Sequence, residues 1–161
     1  MAFSTGALLT GTWTSDQLRT SGNAPGVGDH FQGGDGKIYK FVQYDTGAGS
    51  VAAVANQMAY YYAPSGASAG ATTVVTSDLS DSAGVGAGML LAAPADGEYC
   101  WVQIKGPATL ALALTAGADG NALTAVGSTD GALDVSAAVT DSICAHAIDA
   151  SAKIVMLDCP W

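Results

Sequence analysis

One short segment carries a pattern that could do covalent chemistry. Residues Gly66-Ala67-Ser68-Ala69-Gly70 match G-x-S-x-G, the turn that presents the nucleophilic serine of α/β-hydrolases, and His146 could follow as a base. That turn needs a strand before it and a helix after it, because the serine is held strained at the edge of a sheet. Here the pentapeptide lies in a Ser/Ala/Gly loop without a helical pattern behind it. We interpret the match as a coincidence and predict no enzyme, with hydrolysis at Ser68 kept as a minor hypothesis.

A second possible chemistry is metal binding. Cys100, Cys144, His146 and Cys159 are metal-ligating types, and on a regular strand Cys144 and His146 would share a face. No two cysteines have the short C-x₂₋₄-C spacing of a structural zinc site, and His30 is a weaker candidate still. Three cysteines at irregular spacing are also no disulfide framework. The sequence therefore predicts three free, buried thiols, with no metal and no cofactor.

Glycine-rich stretches invite a nucleotide-binding interpretation, which the surrounding residues do not support. Gly33–Lys37 ends in Gly-Lys, but Ile38 follows where a phosphate-binding loop needs serine or threonine. Gly84–Gly88 lacks the spacing of a dinucleotide fingerprint. Both stretches are predicted to be loops or bulges.

The charge of the chain limits its partners. Five basic residues stand against 14 acidic ones, for a net charge of −9. Binding a phosphate backbone or an anionic lipid surface needs clustered lysine and arginine, so we expect neither nucleic acid nor membrane as a partner. We also expect synthesis in the cytoplasm, since the first residues lack the basic start and apolar stretch of a signal peptide.

The elements that would position these residues are strands. Hydrophobic residues alternate with a period of two, and short segments rich in β-branched and aromatic residues recur along the chain. The predicted strands are Lys37–Tyr44, Tyr60–Tyr62, Thr72–Thr76, Val85–Leu91, Tyr99–Lys105, Thr109–Leu114, Leu133–Ser136, Ile143–Ile148 and Lys153–Asp158. Asp-Gly occurs four times beside them, at Asp35-Gly36, Asp96-Gly97, Asp119-Gly120 and Asp130-Gly131, as tight turns require. This predicts an all-β fold, a small β-barrel or β-sandwich of short antiparallel strands.

The organisation of the chain changes near residue 36. Residues 1–36 are rich in Gly, Ser and Thr, and their apolar residues have no sustained period, which predicts an extended N-terminal arm. Residues 37–161 would form the β domain. Leu8, Leu9 and Trp13 would anchor the arm on a neighbouring subunit, or the arm packs across its own domain, and both alternatives stay open.

Aromatic residues on the strands are the remaining candidate site. Alternation places Cys100, Val102 and Ile104 on one face of their strand and Tyr99 and Trp101 on the other. Exposed rings at Tyr99, Trp101 and Tyr60–Tyr62 would serve a protein interface or sugar binding, and buried rings would fill the core. We predict Trp101 at or near a subunit boundary. Self-association would also add burial to a chain in which 31 alanines and 21 glycines leave few large core residues.

Five stretches of the sequence carry a family resemblance. Gly36–Gln43, Val85–Met89, Asp96–Pro107, Gly127–Gly131 and Ile154–Trp161 together resemble the capsid decoration (cement) proteins of tailed bacteriophages. The resemblance covers about residues 37–161, and its most specific part is Tyr99–Pro107.

The resemblance implies a structural role in a virus particle. A decoration protein would be made in the host bacterial cytoplasm and would bind the outer capsid surface, where it stabilises the lattice of the major capsid protein. Its partners would be the major capsid protein and itself, with a homotrimer favoured and a dimer possible. The family has no catalytic residues to transfer. The alternative is a tail or fibre module that binds a glycan or protein of the host surface.

Overall fold

The computed structural model describes residues 9–63 and 72–160 and is built almost entirely of strands. A short helix, α1 (Ser15–Thr20), and a 3-10 turn (Leu79–Asp81) accompany them. The strands are β1 (His30–Gln32), β2 (Ile38–Tyr44), β3 (Met58–Tyr62), β4 (Val74–Thr76), β5 (Ser82–Leu90), β6 (Tyr99–Thr109), β7 (Ala122–Thr124), β8 (Asp134–Val135), β9 (Ile143–Asp149) and β10 (Ile154–Asp158). The all-β class predicted from the alternation is confirmed.

Five of the strands close into a small barrel. β2 pairs with β4, β4 with β3, β3 with β5, β5 with β6, and β6 pairs back with β2. The prediction of antiparallel strands holds for every pair in this ring except β2–β4, which is parallel. The parallel pair arises because the chain leaves β2 through a long connection, crosses to β3, and only then returns beside β2.

The other strands extend the sheet from β6. This strand has 11 residues, so its first half serves the barrel while Lys105–Thr109 pairs with β10. β10, β9, β7 and β8 follow in that order, and we call them the outer leaf. The leaf packs closely on β5, since a Cβ atom at Gly86 would lie 2.6 Å from the Cys144 sulfur. Only glycine allows this approach at that position.

The main core lies inside the barrel and under the outer leaf. Cys100, Val102 and Ile104 all point into it and are buried, while Trp101 lies on the opposite face of β6. The register predicted from alternation is therefore confirmed. The Asp-Gly turns are confirmed as well, because Gly36, Gly97, Gly120 and Gly131 all have φ between 70° and 83°.

One predicted strand was wrong, and two short strands were not predicted. In Thr109–Leu114 only Thr109 belongs to a strand, because Leu110 donates its backbone N–H to Lys153, and Ala111 donates to Asn56 across the fold. The leucines at 110 and 114 still contact the core, but from an irregular segment. The three-residue strands β1 and β7 were not predicted, since so few residues cannot establish a period.

The N-terminal segment has more structure than an extended arm. A capping box starts α1, in which Thr14 accepts from the Gln17 N–H and Gln17 accepts from the Thr14 N–H. Residues 30–32 form β1, which pairs with β2 and so belongs to the sheet. The T-x-x-Q pattern at 14–17 was a usable signal for the helix.

Candidate interface surfaces

Three aromatic residues form a second, smaller cluster on the outside of the barrel. Tyr39, Phe41 and Trp101, which we call the aromatic face, project from β2 and β6 away from the barrel interior and are buried. The ring centres of Phe41 and Trp101 are 5.2 Å apart. Phe31 of β1 stacks on Tyr39 and meets the Trp101 ring edge-on. Such offset and edge contacts stabilise a pair of rings by about 0.5–1.5 kcal/mol beyond the area they bury.

The N-terminal segment covers the aromatic face. Leu9, Trp13 and Leu18 pack against it, and two backbone hydrogen bonds fasten the contact. The Trp13 N–H donates to the Tyr99 carbonyl at 2.9 Å, and the Tyr99 N–H donates to the Trp13 carbonyl at 2.8 Å. In the described residues, the segment therefore packs across its own domain.

The predicted interface residues are distributed as follows. Leu8 lies outside the described residues. Leu9, Trp13 and Tyr99 are partly buried against the aromatic face, and Trp101 is only 7% exposed. Their contact with a second chain stays a prediction. The isolated chain offers little of the Trp101 ring to a partner.

Two of the three β3 tyrosines, Tyr60 and Tyr61, are buried and fill the core, which was one of the alternatives left open, while Tyr62 is only partly buried. Tyr60 donates its hydroxyl to the Ala132 carbonyl, and Tyr61 donates to the Pro160 carbonyl at 2.8 Å. Burial raises the pKa of Tyr61 to about 12 and raises that of Tyr60 further. None of the aromatic side chains in the described ranges is fully exposed.

A buried lysine was not predicted from the sequence. Lys40 lies on the inward-facing side of β2, is 3% exposed, and donates from Nζ to the Tyr61 hydroxyl at 3.1 Å. The ammonium also lies 5.0 Å from the centre of the Tyr61 ring. Burial lowers the pKa of Lys40. A lysine at an inward position of an alternating strand was the available signal.

The acidic side chains have a structural role that the sequence did not show. Twelve of the 14 accept a hydrogen bond from a backbone N–H, mostly in turns and loops. They are Asp29, Asp35, Asp45, Asp78, Asp81, Asp96, Glu98, Asp119, Asp130, Asp134, Asp141 and Asp149. The other two, Asp16 and Asp158, pair with Arg19 and Lys105. The carboxylates therefore stabilise the turns and loops by accepting these hydrogen bonds.

These bonds predict that acid destabilises the fold. The Ser80 hydroxyl is the main group that lowers the pKa of Asp78, and the Ala138 N–H is the main one at Asp141. A carboxylate with a lowered pKa stabilises the fold above its unfolded pKa, near 4, and this stabilisation is lost as the pH falls through the folded value. We expect the urea midpoint to hold from pH 7 to 5 and to fall below about pH 4.

Two variants test whether these hydrogen bonds cause the loss of stability in acid. Asp78→Asn should lower the midpoint at pH 7 and flatten its fall in acid, whereas Asp16→Asn, on exposed α1, should leave the profile unchanged. The series should be run near 0.15 M salt, where longer-range repulsion between carboxylates is screened. A wild-type midpoint that stays constant down to pH 3 would contradict the role of these bonds.

The cysteines are free and buried, as predicted. Cys144 donates weakly to the Leu123 carbonyl at 3.8 Å, and Cys159 donates to the Cys144 carbonyl at 3.5 Å. Burial raises the pKa of Cys100 to about 12, and a hydrogen bond with Cys144 together with burial raises that of Cys159. Since the thiolate is the reactive form, we expect a thiol reagent to label none of the three until the chain is unfolded. Rapid labelling of the native protein would contradict this burial.

Regular alternation would place Cys144 and His146 on one face of β9, but the two side chains lie on different faces. A bulge in β9 pairs Leu123 with Ala145 but Thr124 with Ile143, which leaves Cys144 as the extra residue. Cys144 therefore points into the core while His146 is exposed. Within residues 9–63 and 72–160, no group of three or more His, Cys, Asp or Glu side chains is arranged to hold a metal ion.

Of the three remaining sequence motifs, two lie in the part of the chain that the structure describes. Ser68 lies outside the described residues. Gly33–Lys37 forms the turn between β1 and β2, and Gly84–Gly88 lies in β5, where the pairing with β3 shifts register. Both are therefore a loop or a bulged strand, as predicted.

An exposed, largely apolar surface across β6 and the outer leaf was not predicted. Pro107, Met156 and His146 lie side by side on β6, β10 and β9, because Met156 pairs with both of the others, and all three are exposed. Ile148 and the partly buried Ile154 continue this surface along β9 and β10. Met156 is 43% exposed and Ile148 is 46% exposed. We call these five residues the outer face.

Comparison of the chain with protein-family models, with curated proteins and with solved structures finds no match. In the described part of the chain, no helix is long and apolar enough to cross a membrane.

Proposed function

We propose that this chain is a structural protein of a virus particle, which binds the outer surface of a tailed-phage capsid as an oligomer. There it stabilises the lattice of the major capsid protein. The observation that carries the proposal is the resemblance of Tyr99–Pro107 to decoration proteins of this kind. That stretch forms most of β6, the strand that pairs with β2 and β5 in the barrel and with β10 in the outer leaf.

The charge distribution supports a position outside the capsid. A chain of net charge −9 is repelled by packaged DNA, and most of its carboxylates are engaged in fixing loops. Loops held by many short-range hydrogen bonds suit a protein that must keep its shape on an exposed particle surface. The outer face adds an apolar surface of the kind that marks protein contacts.

The experiment uses particles that lack this chain, to which the purified chain is added. We expect it to co-sediment with the particles up to a fixed ratio to the major capsid protein, and to raise the temperature at which they release DNA. Serum albumin, another acidic protein, serves as the control and should do neither.

The same purified chain distinguishes the alternative role in a tail or fibre. Binding to host cells or their surface glycans, without binding to capsids, would overturn the proposal in favour of that alternative. Failure to bind either would also contradict it.

A further inference from the structure

We propose that the turn between β1 and β2 contains a site of covalent modification, at which Asp35 converts to isoaspartate. This inference is independent of the proposed function, because it depends only on bonds within the single chain. Asp-Gly occurs four times in the sequence. In such a pair the glycine has no side chain to obstruct its backbone nitrogen, so this nitrogen can approach the carboxyl group of the aspartate. The structure protects three of the four pairs from this reaction and leaves Asp35-Gly36 open to it.

The reaction needs no reagent besides water. The Gly36 nitrogen attacks Cγ of the Asp35 carboxyl group and closes an imide ring, as the nitrogen loses its hydrogen and the carboxyl group loses its hydroxyl, together one molecule of water. A second molecule of water then opens the ring at either carbonyl. When it opens at the former backbone carbonyl, the chain continues through the aspartate side chain. The product is an isomer of the original chain, with one more methylene in the backbone and a free α-carboxylate.

Hydrogen bonds control how readily the ring can form. In each of the four pairs the glycine N–H donates to a backbone carbonyl, and the aspartate Oδ1 accepts from another backbone N–H. The nitrogen and the carboxyl group can react only while these bonds are broken. The rate of conversion at each pair therefore follows the free energy of opening the structure locally, which differs widely between the parts of one fold.

At three of the pairs, opening must separate distant segments of the chain. The aspartate in each of these pairs accepts, at 2.9 or 3.0 Å, from a residue at least 31 positions away. These aspartates and their donors are Asp96 with Thr46, Asp119 with Ala150, and Asp130 with Leu79. The glycines that follow also donate to distant carbonyls, those of Tyr44, Ala147 and Ser77. Breaking such bonds disturbs the contact between two parts of the fold.

The bonds at Asp35-Gly36 are all local. Oδ1 of Asp35 accepts from the Lys37 N–H at 3.1 Å, and the Gly36 N–H donates to the Gly33 carbonyl at 3.1 Å. The Asp35 carboxylate also lies 3.8 Å from the Lys37 ammonium and interacts with the Tyr39 hydroxyl. All of these partners belong to the same hairpin, so opening the turn leaves the rest of the fold in place.

The position of the turn also favours its opening. It follows β1, a strand of only three residues at one end of the sheet order. The Asp35 side chain is 51% exposed, and a Cβ atom built at Gly34 or at Gly36 meets nothing within 4 Å. An exposed turn next to a short edge strand is the kind of segment that opens with a small free energy.

Conversion of Asp35 is expected to affect the aromatic face. An extra methylene in the turn disturbs the register between β1 and β2. Phe31 of β1 stacks on Tyr39 and meets the Trp101 ring edge-on. We therefore expect β1 to separate from the aromatic face as isoaspartate accumulates.

The test follows the intact purified chain during prolonged incubation at neutral pH, below its unfolding temperature, in water enriched in heavy oxygen. Opening of the ring by this water marks each residue that has reacted, and tandem mass spectrometry of the peptides distinguishes isoaspartate from aspartate. We expect isoaspartate to form at residue 35 at least about tenfold faster than at residues 96, 119 and 130, which corresponds to about 1.4 kcal/mol in the free energy of local opening. In urea the four rates should become similar, since a glycine follows each aspartate.

Two variants test the assignment and its cause. Asp35→Glu should abolish the reaction at residue 35 and leave the other three sites unchanged, because the longer side chain closes such a ring far more slowly. Leu79→Pro removes the N–H from which Asp130 accepts, at the first position of the 3-10 turn, where the fixed φ of proline is tolerated. It should increase the rate at Asp130 and leave the rate at Asp35 unchanged.

Three results would overturn the inference. One is a native wild type without isoaspartate at residue 35, and another is a native wild type in which residue 96, 119 or 130 converts as fast as residue 35. The third is an unchanged rate at Asp130 in the Leu79→Pro chain, since bonds from distant segments would then not be what protects an Asp-Gly pair.

Discussion

Replacing Trp101 by alanine is expected to lower the free energy of unfolding of the isolated chain by about 3–5 kcal/mol, the usual cost of removing a buried tryptophan. The indole is 7% exposed and lies between Phe41, Phe31 and the N-terminal segment. Its loss leaves a cavity and also removes part of the aromatic face on which Trp13 packs. Urea unfolding at low protein concentration, where association does not contribute, measures the change.

This variant decides between the two roles considered for Trp101. If the ring faced solvent in the free chain and became buried only against a neighbouring subunit, the Trp101→Ala chain would lose less than about 0.5 kcal/mol. Val139→Ala, at a fully exposed position, is the control and should change nothing. Trp13→Ala should show an intermediate loss, since Trp13 is only partly buried.

Gly88→Ala is expected to be the most destabilising single methyl addition in the barrel, at about 4 kcal/mol or with failure to fold. A Cβ atom at this position would lie 2.7 Å from the Gln103 carbonyl oxygen, a backbone atom of β6 that cannot move without disturbing the sheet. The φ of +139° is also one that residues with side chains rarely adopt. The strain and the clash therefore act together.

The control for this variant is Gly34→Ala, where nothing lies within 4 Å of the added atom. It should keep the wild-type urea midpoint. Equal midpoints for Gly88→Ala and Gly34→Ala would mean that β5 and β6 do not approach each other as described. Circular dichroism of both variants distinguishes a weakened fold from an absent one.

The alternation of side chains was enough to predict most of the strands, but not how the strands pair to close the barrel. The face that Cys100, Val102 and Ile104 share follows from the pleat alone, and it is as predicted. The parallel pairing of β2 with β4 depends on contacts between distant segments, which no local period encodes.

The surroundings of Trp101 were harder to predict because the residues that cover it come from a distant part of the chain. Trp101 was correctly placed outside the barrel, but whether a ring there meets solvent, another chain or its own N-terminus depends on residues nearly a hundred positions away. The outer face was missed for a related reason. Met156 and Pro107 become neighbours only through the pairing of β10 with β6, and Ile148 stays exposed only because nothing in the described chain covers that leaf.

The most direct test of the proposed function is to image intact particles made from the genome that encodes this chain. We expect density for a small β-barrel with its outer leaf on the outside of the capsid, repeated at equivalent positions of the lattice and touching the major capsid protein. Density for this chain in the tail or its fibres, or particles without the chain, would contradict it.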